Sequence, residues 1–221
     1  MAYEHPLVKE GKIEDRAYQV NIADSAKTHS TLVVLPTGMG KTIIAFMVMA
    51  DVIEKNSEKK IPFMAPTKPL VNQHANDIKE LLDVEDPVIF TGEVKPKDRE
   101  ELWDEHDIIV STPQVIRNDL MAQRIDLKDV SLLVFDEAHR AVGGYAYGFI
   151  GEKYQQEEGL VLGLTASPGS EIGHILEVCE NLGIDNVEIR TKYDPDVVNY
   201  TQELDMRWID VKLPRKQRRI V

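Results

Sequence analysis

Short apolar runs separated by longer amphipathic stretches constrain this chain more than any other feature. The runs fall at Thr31–Leu35, Ile61–Ala65, Pro87–Phe90, Asp107–Ser111, Ser131–Phe135, Leu160–Leu164 and Val187–Arg190. Several are apolar almost throughout, as strands covered on both faces must be. Between them, Lys41–Lys55, Pro69–Leu82, Lys97–Asp104, Pro113–Met121, Tyr147–Gln156 and Glu171–Leu182 have the character of helices, and a further helix is expected over Arg16–Ala26. Strands alternating with helices predict an α/β fold of three layers, with a mostly parallel central sheet between two sets of helices.

Composition agrees with one such domain. The chain has 221 residues, 43% of them hydrophobic and 29% charged. A domain of that size buries about 70% of the surface its unfolded chain exposes, enough to need no covalent staples. The single cysteine, Cys179, excludes an internal disulfide and cysteine-based zinc clusters. The longest uninterrupted apolar run is Ile43–Ala50, too short to cross a bilayer, and the polar start has no signal-peptide pattern. A reduced, cytoplasmic setting without a membrane partner is expected. The formal net charge is −12, against the usual sign for a nucleic-acid binder. The exception is residues 212–221, where Lys212, Arg215, Lys216, Arg218 and Arg219 occur with no acid. Net charge bears on solubility and steering and leaves local grip undecided.

The last thirty residues read differently. Tyr193–Asp196 reads as a turn around Pro195. Leu204, Met206 and Trp208 alternate with Asp205 and Arg207 as in a strand, and Val211 and Leu213 resume in the opposite phase. A bulge near Trp208–Ile209 accounts for the shift, and Pro214 suits the first position of a helix. The expected division is a domain over residues 1–200 and, over 201–221, the start of a connection to a second domain.

The strongest chemical signal is Leu35-Pro36-Thr37-Gly38-Met39-Gly40-Lys41-Thr42, between an expected strand and an expected helix. Glycines at Gly38 and Gly40 let successive N–H groups converge on an anion at the positive end of a helix. Lys41 is placed to reach β- and γ-phosphates, and Thr42 to ligate magnesium. The first glycine of the common phosphate-loop pattern is Leu35 here. The second signal is Asp136-Glu137-Ala138-His139, at the end of the apolar run Leu132–Phe135. Carboxylates at the C-terminal end of a strand face the crevice where α/β proteins bind ligands. Asp136 is assigned to the metal and Glu137 to the attacking water as general base. In isolation the tetrapeptide would also suit a helix start. The third signal, Thr165-Ala166-Ser167-Pro168, is either a plain turn or a segment whose hydroxyls sense the γ-phosphate or bond to the Asp-Glu segment. Three weaker segments also sit at strand ends: Ala65-Pro66-Thr67-Lys68, Thr91-Gly92-Glu93 and Ser111-Thr112-Pro113-Gln114. Hydroxyls, glycines and helix starts of this kind contact nucleic-acid backbones without reading bases, and equally serve as helix caps.

Together these motifs resemble superfamily 2 helicases of the DEAH type. Gly38-x-Gly40-Lys41-Thr42, Asp136–His139 and Thr165–Ser167 resemble motifs I, II and III, while Ala65–Thr67 and Thr112–Gln114 resemble Ia and Ib. Arg16-x-Tyr18-Gln19, Asp136–Gly143 and Gly163–Gly169 sharpen the likeness to the Hef and Fanconi anaemia M helicases, with RIG-I-like receptors and Dicer as close relatives. The resemblance implies a RecA-like first motor domain of the P-loop NTPase type. It implies ATP and Mg2+ as cofactors and a nucleic-acid partner, DNA (single-stranded or branched) before RNA. It adds a second RecA-like domain of the same protein, an intracellular, nucleoid-associated setting, and work on forked or branched DNA in repair or replication restart. By the same resemblance Gln19 would read the adenine edge and Arg16 stack on its face. Pro36, Thr37, Gly38, Met39, Gly40, Lys41 and Thr42 would hold the triphosphate. Lys41, Asp136, Glu137 and His139 would form the catalytic set. Thr165, Ala166 and Ser167 would couple hydrolysis to movement. Thr67, Lys68, Thr91, Gly92, Thr112 and Pro113 would lie along the nucleic acid. The family's arginine finger has no counterpart in this sequence, so the chain alone is expected to hydrolyse ATP very slowly. Two alternatives stay open: an RNA-directed motor, and a non-catalytic module in which nucleotide only orders a binding surface.

Overall fold

The structure, a computed structural model, describes residues 2–56, 59–166 and 172–200. All seven expected strands form: β1 (Thr31–Val34), β2 (Ile61–Met64), β3 (Val88–Phe90), β4 (Ile108–Ser111), β5 (Leu132–Asp136), β6 (Leu160–Thr165) and β7 (Asn186–Ile189). The helices are α1 (Ala17–Ala26), α2 (Lys41–Lys55), α3 (Lys68–Leu81), α4 (Pro96–Glu105), α5 (Pro113–Met121), α6 (Ala146–Tyr154) and α7 (Ile172–Leu182). Short 3-10 turns cover Ala138–Arg140 and Val198–Tyr200. Element ends coincide with expectation or differ from it by one or two residues. The expected start of the last helix at Glu171, Ser167 of the third motif, and the expected strand and helix beyond Thr201 lie outside the described residues.

The strands form one sheet in the order β3-β4-β2-β5-β6-β1-β7, and every described pairing between them is parallel. Parallel strands present their C-terminal ends on one edge, so every motif that follows a strand reaches that same edge. The order then sorts them. β5, β6 and β1 are neighbours, bringing together the segments after Asp136, Thr165 and Val34. β3, β4 and β2 are also neighbours, bringing together the segments with Gly92, Thr112 and Lys68.

Two apolar cores flank the sheet. One gathers α1, α2 and α3 through Ile22, Phe46, Phe63 and Val71; the other gathers α4 to α7 through Trp103, Ile116, Tyr147 and Leu182. Residues Ile44–Ala50 of α2 are fully buried, because α2 is packed against both the sheet and α1. A helix covered on all sides is apolar all round, which accounts for the eight-residue run. α1 opens at Arg16, which is extended, and Pro96 and Pro113 occupy first turns where the missing N–H costs nothing. Gly151 lets α6 close onto α7: a Cβ there would lie 2.4 Å from the Asn181 carbonyl oxygen. Among the described residues no helix is long and apolar enough to cross a membrane.

Candidate active site

The phosphate loop forms as its glycines require. Gly38 and Gly40 have φ of 83° and 76°, in the left-handed region that penalises any side chain. Gly40 is also pressed from outside, since a Cβ there would sit 2.2 Å from Gln19 Nε2. Lys41 Nζ donates to the Leu35 carbonyl oxygen at 3.1 Å, folding the ammonium back over the loop. Burial pushes the Lys41 ammonium below the ordinary lysine value, and the carboxylates of Glu137 and Asp136 pull it back up.

Gln19 and Tyr18 reach the same loop from α1. Tyr18 Oη donates to the Met39 carbonyl at 2.8 Å and Gln19 Nε2 to the same oxygen at 3.2 Å. Both side chains are almost wholly buried. A cavity of about 330 Å³ opens beside them, lined by Ile13, Arg16, Gln19, Gly38, Gly40 and Ile43 among others. Arg16 lies at its rim, paired with Glu14 at 2.8 Å and 5.8 Å from the Tyr200 ring. The apolar wall of Ile13 and Ile43 went unnoticed in the sequence, where neither residue carries a motif.

At the end of β5 the backbone reverses sharply. Glu137 has φ 54° and ψ 47°, a left-handed conformation that a non-glycine residue holds at a cost of about 1–3 kcal/mol. The turn is pinned from several sides. Tyr147 Oη donates to the Asp136 carbonyl at 2.7 Å, and burial drives that phenol well above its ordinary pKa. The Glu137 N–H donates to Asp136 Oδ1 at 3.0 Å. Ala138 packs over Gly163 of β6, where a Cβ would approach Ala138 Cβ to 3.1 Å. His139 Nδ1 lies 3.0 Å from Thr165 Oγ1 and 3.2 Å from Glu137 Oε2, joining the second motif to the third. Thr165 is buried and Ala166 follows it at partial exposure.

One residue essential to this geometry was not foreseen. His74 of α3 is buried, and its Nε2 lies 3.0 Å from Asp136 Oδ2. Its ring packs on Phe63 with centroids 4.7 Å apart, and Nδ1 has no hydrogen-bond partner among the described residues. Nothing in the sequence pairs position 74 with position 136, because the contact depends on α3 packing over β2 beside β5. Tyr147 was missed for the same reason.

The hard-oxygen donor set of Thr42 and Asp136, beside Lys41, suits Mg2+ bound to a triphosphate. Glu137 stands next to it, 3.2 Å from His139 and not salt-bridged to a lysine or arginine among the described residues.

Along the other half of the edge, Thr67 and Thr112 occupy the N-cap positions of α3 and α5, and neither hydroxyl makes a capping hydrogen bond. Lys68 is ion-paired with Glu93. Gly92 is exposed. Thr91 is 4% exposed and its hydroxyl accepts from the Glu93 N–H at 3.4 Å, so it shapes the turn; Pro113 is likewise buried.

Residues 16–175 match the DEAD/DEAH box helicase family. The crystal structure of the Pyrococcus furiosus Hef helicase domain superposes with a TM-score of 0.87 at 46% identity, covering 94% of this chain and 44% of that one. A Methanocaldococcus jannaschii protein, provisionally named an ATP-dependent RNA helicase, is 45% identical over 99% of this chain and 28% of its own length. The Scheffersomyces stipitis ATP-dependent DNA helicase MPH1 is 40% identical over 85% of this chain and 18% of its own. The chain thus spans less than a third of either curated relative.

Proposed function

From the premise that this chain belongs to the DEAD/DEAH box helicase family, we propose that it is the ATP-binding first motor domain of an ATP-dependent DNA helicase or translocase acting on forked or branched DNA. The observation that carries the reading is the single sheet edge on which Lys41, Asp136, Glu137 and Thr165 converge beside the strand ends bearing Lys68, Gly92 and Thr112.

The residues divide the work. The 330 Å³ cavity beside Gln19 takes the base, with Arg16 at its mouth. The N–H groups of the 36–42 loop and the Lys41 ammonium hold the phosphates, the ammonium exchanging its bond to the Leu35 carbonyl for phosphate oxygens. Thr42 and Asp136 would hold Mg2+, which when bound neutralises charge on the phosphate oxygens. Glu137 takes the proton of the attacking water, aimed by its left-handed backbone. His139 bridges Glu137 and Thr165, so that a change at the third motif is felt at the base. The second RecA-like domain of the same protein supplies the arginine finger, whose absence costs about 10³–10⁵ in rate in GTPases. A setting inside the cell, with the nucleoid, follows from the substrate.

The experiment is a steady-state ATPase assay on the full-length protein with forked DNA, single-stranded DNA or duplex RNA. The expected result is strongest stimulation by forked DNA. A second reading, an RNA-directed motor, is favoured by the name of the Methanocaldococcus relative. Stimulation by duplex RNA alone would select it. A non-catalytic module has no use for a general base, and absence of any turnover would select that instead.

A further inference from the structure

The strand ends after β3 and β4 are joined by a buried ion pair that the chemistry of the nucleotide site does not use. Asp119 of α5 is fully buried and Arg99 of α4 is 6% exposed. Arg99 Nε donates to Asp119 Oδ2 at 2.6 Å and Nη2 donates to Oδ1 at 2.7 Å, a bidentate fork. The third nitrogen, Nη1, donates to the Val94 carbonyl oxygen. Arg124 Nη1 adds a bond to Asp119 Oδ1 at 3.0 Å from the solvent side.

Burying a carboxylate and a guanidinium is weak support for stability, since an apolar pair of similar volume often does as well. The fork does something an apolar pair could not do. Val94 follows directly on the turn Thr91–Glu93, and Asp119 lies two turns into the helix that begins at Thr112-Pro113. One planar group therefore holds the carbonyl of one strand-end segment and the helix of the next. The exposed Lys68–Glu93 pair nearby is worth little by comparison.

We infer that Arg99 and Asp119 are positioning residues that hold the Thr91–Val94 turn and the start of α5 as one fixed face for the backbone of a nucleic-acid strand. The inference rests on the reading of this edge as the nucleic-acid side. Neither residue touches the strand; both act through the two segments they join.

The test uses the full-length protein and two variants. Arg99→Lys keeps a charge beside Asp119 but cannot form the fork and reach Val94 together. Arg99→Met with Asp119→Asn removes both charges and leaves no buried ion stranded. Amide hydrogen exchange over residues 91–95 and 112–116 reads the order of the face without any ligand, and fluorescence anisotropy of a labelled oligonucleotide reads the binding. Expected in both variants are faster exchange in those two segments, unchanged exchange in β1 and α2, and strand affinity weakened about tenfold at unchanged affinity for ATP. Unchanged exchange in the two segments overturns the inference, as does faster exchange spread evenly over the sheet or failure of both variants to fold, which would mark the pair as a stability element alone. If the unaltered protein binds no oligonucleotide, the reading of the edge falls and takes the binding role with it. The exchange arm still decides whether the pair fixes the two segments.

Discussion

At Gly40 two constraints meet in one residue: a backbone φ of 76° and a neighbour, Gln19 Nε2, where a Cβ would have to go. Gly40→Ala is expected to cost about 1–2 kcal/mol in conformation alone and to push Gln19 off the Met39 carbonyl. Isothermal titration should then show loss of ATP affinity with most of the thermal stability kept. His74 is the residue-scale contact the sequence concealed. His74→Leu fills the same space without the hydrogen bond to Asp136, so it should weaken nucleotide binding in Mg2+ by about tenfold, one hydrogen bond to a charged group, while binding in EDTA is unchanged. Equal losses with and without Mg2+ would assign His74 to packing alone. Lys41 carries a pH dependence. Its free-state pKa is lowered, by burial first, so the unliganded site loses its ammonium at a pH below the ordinary 10.5. As pH rises, ATP affinity should accordingly begin to fall before 10.5 is reached in the unaltered protein and stay flat in Lys41→Arg, whose charge persists. A fall shared by both proteins would place its cause elsewhere.

Elements explain what the residues cannot. The strands were legible because parallel strands buried on both faces are apolar runs, and α2 because a helix covered all round is apolar for eight residues together. The Asp-Glu segment was legible as one of two expected partners of the third motif's hydroxyls; the residue met there, His139, was not. Thr165 meets His139 only because β6 lies between β5 and β1, and strand order depends on how each crossover packs, which periodicity does not encode. Gly163 shows the same limit: the sequence marks it only as the first residue of a matching segment, yet it is the bed on which the Ala138 turn rests. A β-branched side chain there has to displace Leu32, Ala138 and Ile184 together. Gly163→Val is expected to destabilise the domain by about 1–3 kcal/mol through overpacking and to lower turnover further than the stability loss explains, because the Ala138 turn carries Glu137. Thermal melting beside ATPase rates checks this; a rate loss that vanishes at low temperature would leave only the stability effect.

For the whole molecule, the division of one sheet edge into two halves is the central result. One half gathers the groups read as nucleotide contacts and the other the segments read as nucleic-acid contacts, and β2 and β5, paired through Phe63–Val134 and Met64–Phe135, lie at the boundary. His74 crosses that boundary from α3 to Asp136, which places a contact of the second half on the carboxylate proposed to hold Mg2+ in the first. The net charge of −12 is compatible with such a face. Grip by a few amides, hydroxyls and Lys68 needs no basic surface, and affinity built on few phosphate contacts should show a shallow salt slope. The most direct test of the account is Glu137→Gln in the full-length protein, with ATP binding and forked-DNA-stimulated hydrolysis measured together. The account predicts ATP affinity close to that of the unaltered protein with turnover reduced at least about a hundredfold, the contribution of a positioned base. Turnover that survives the substitution would contradict it.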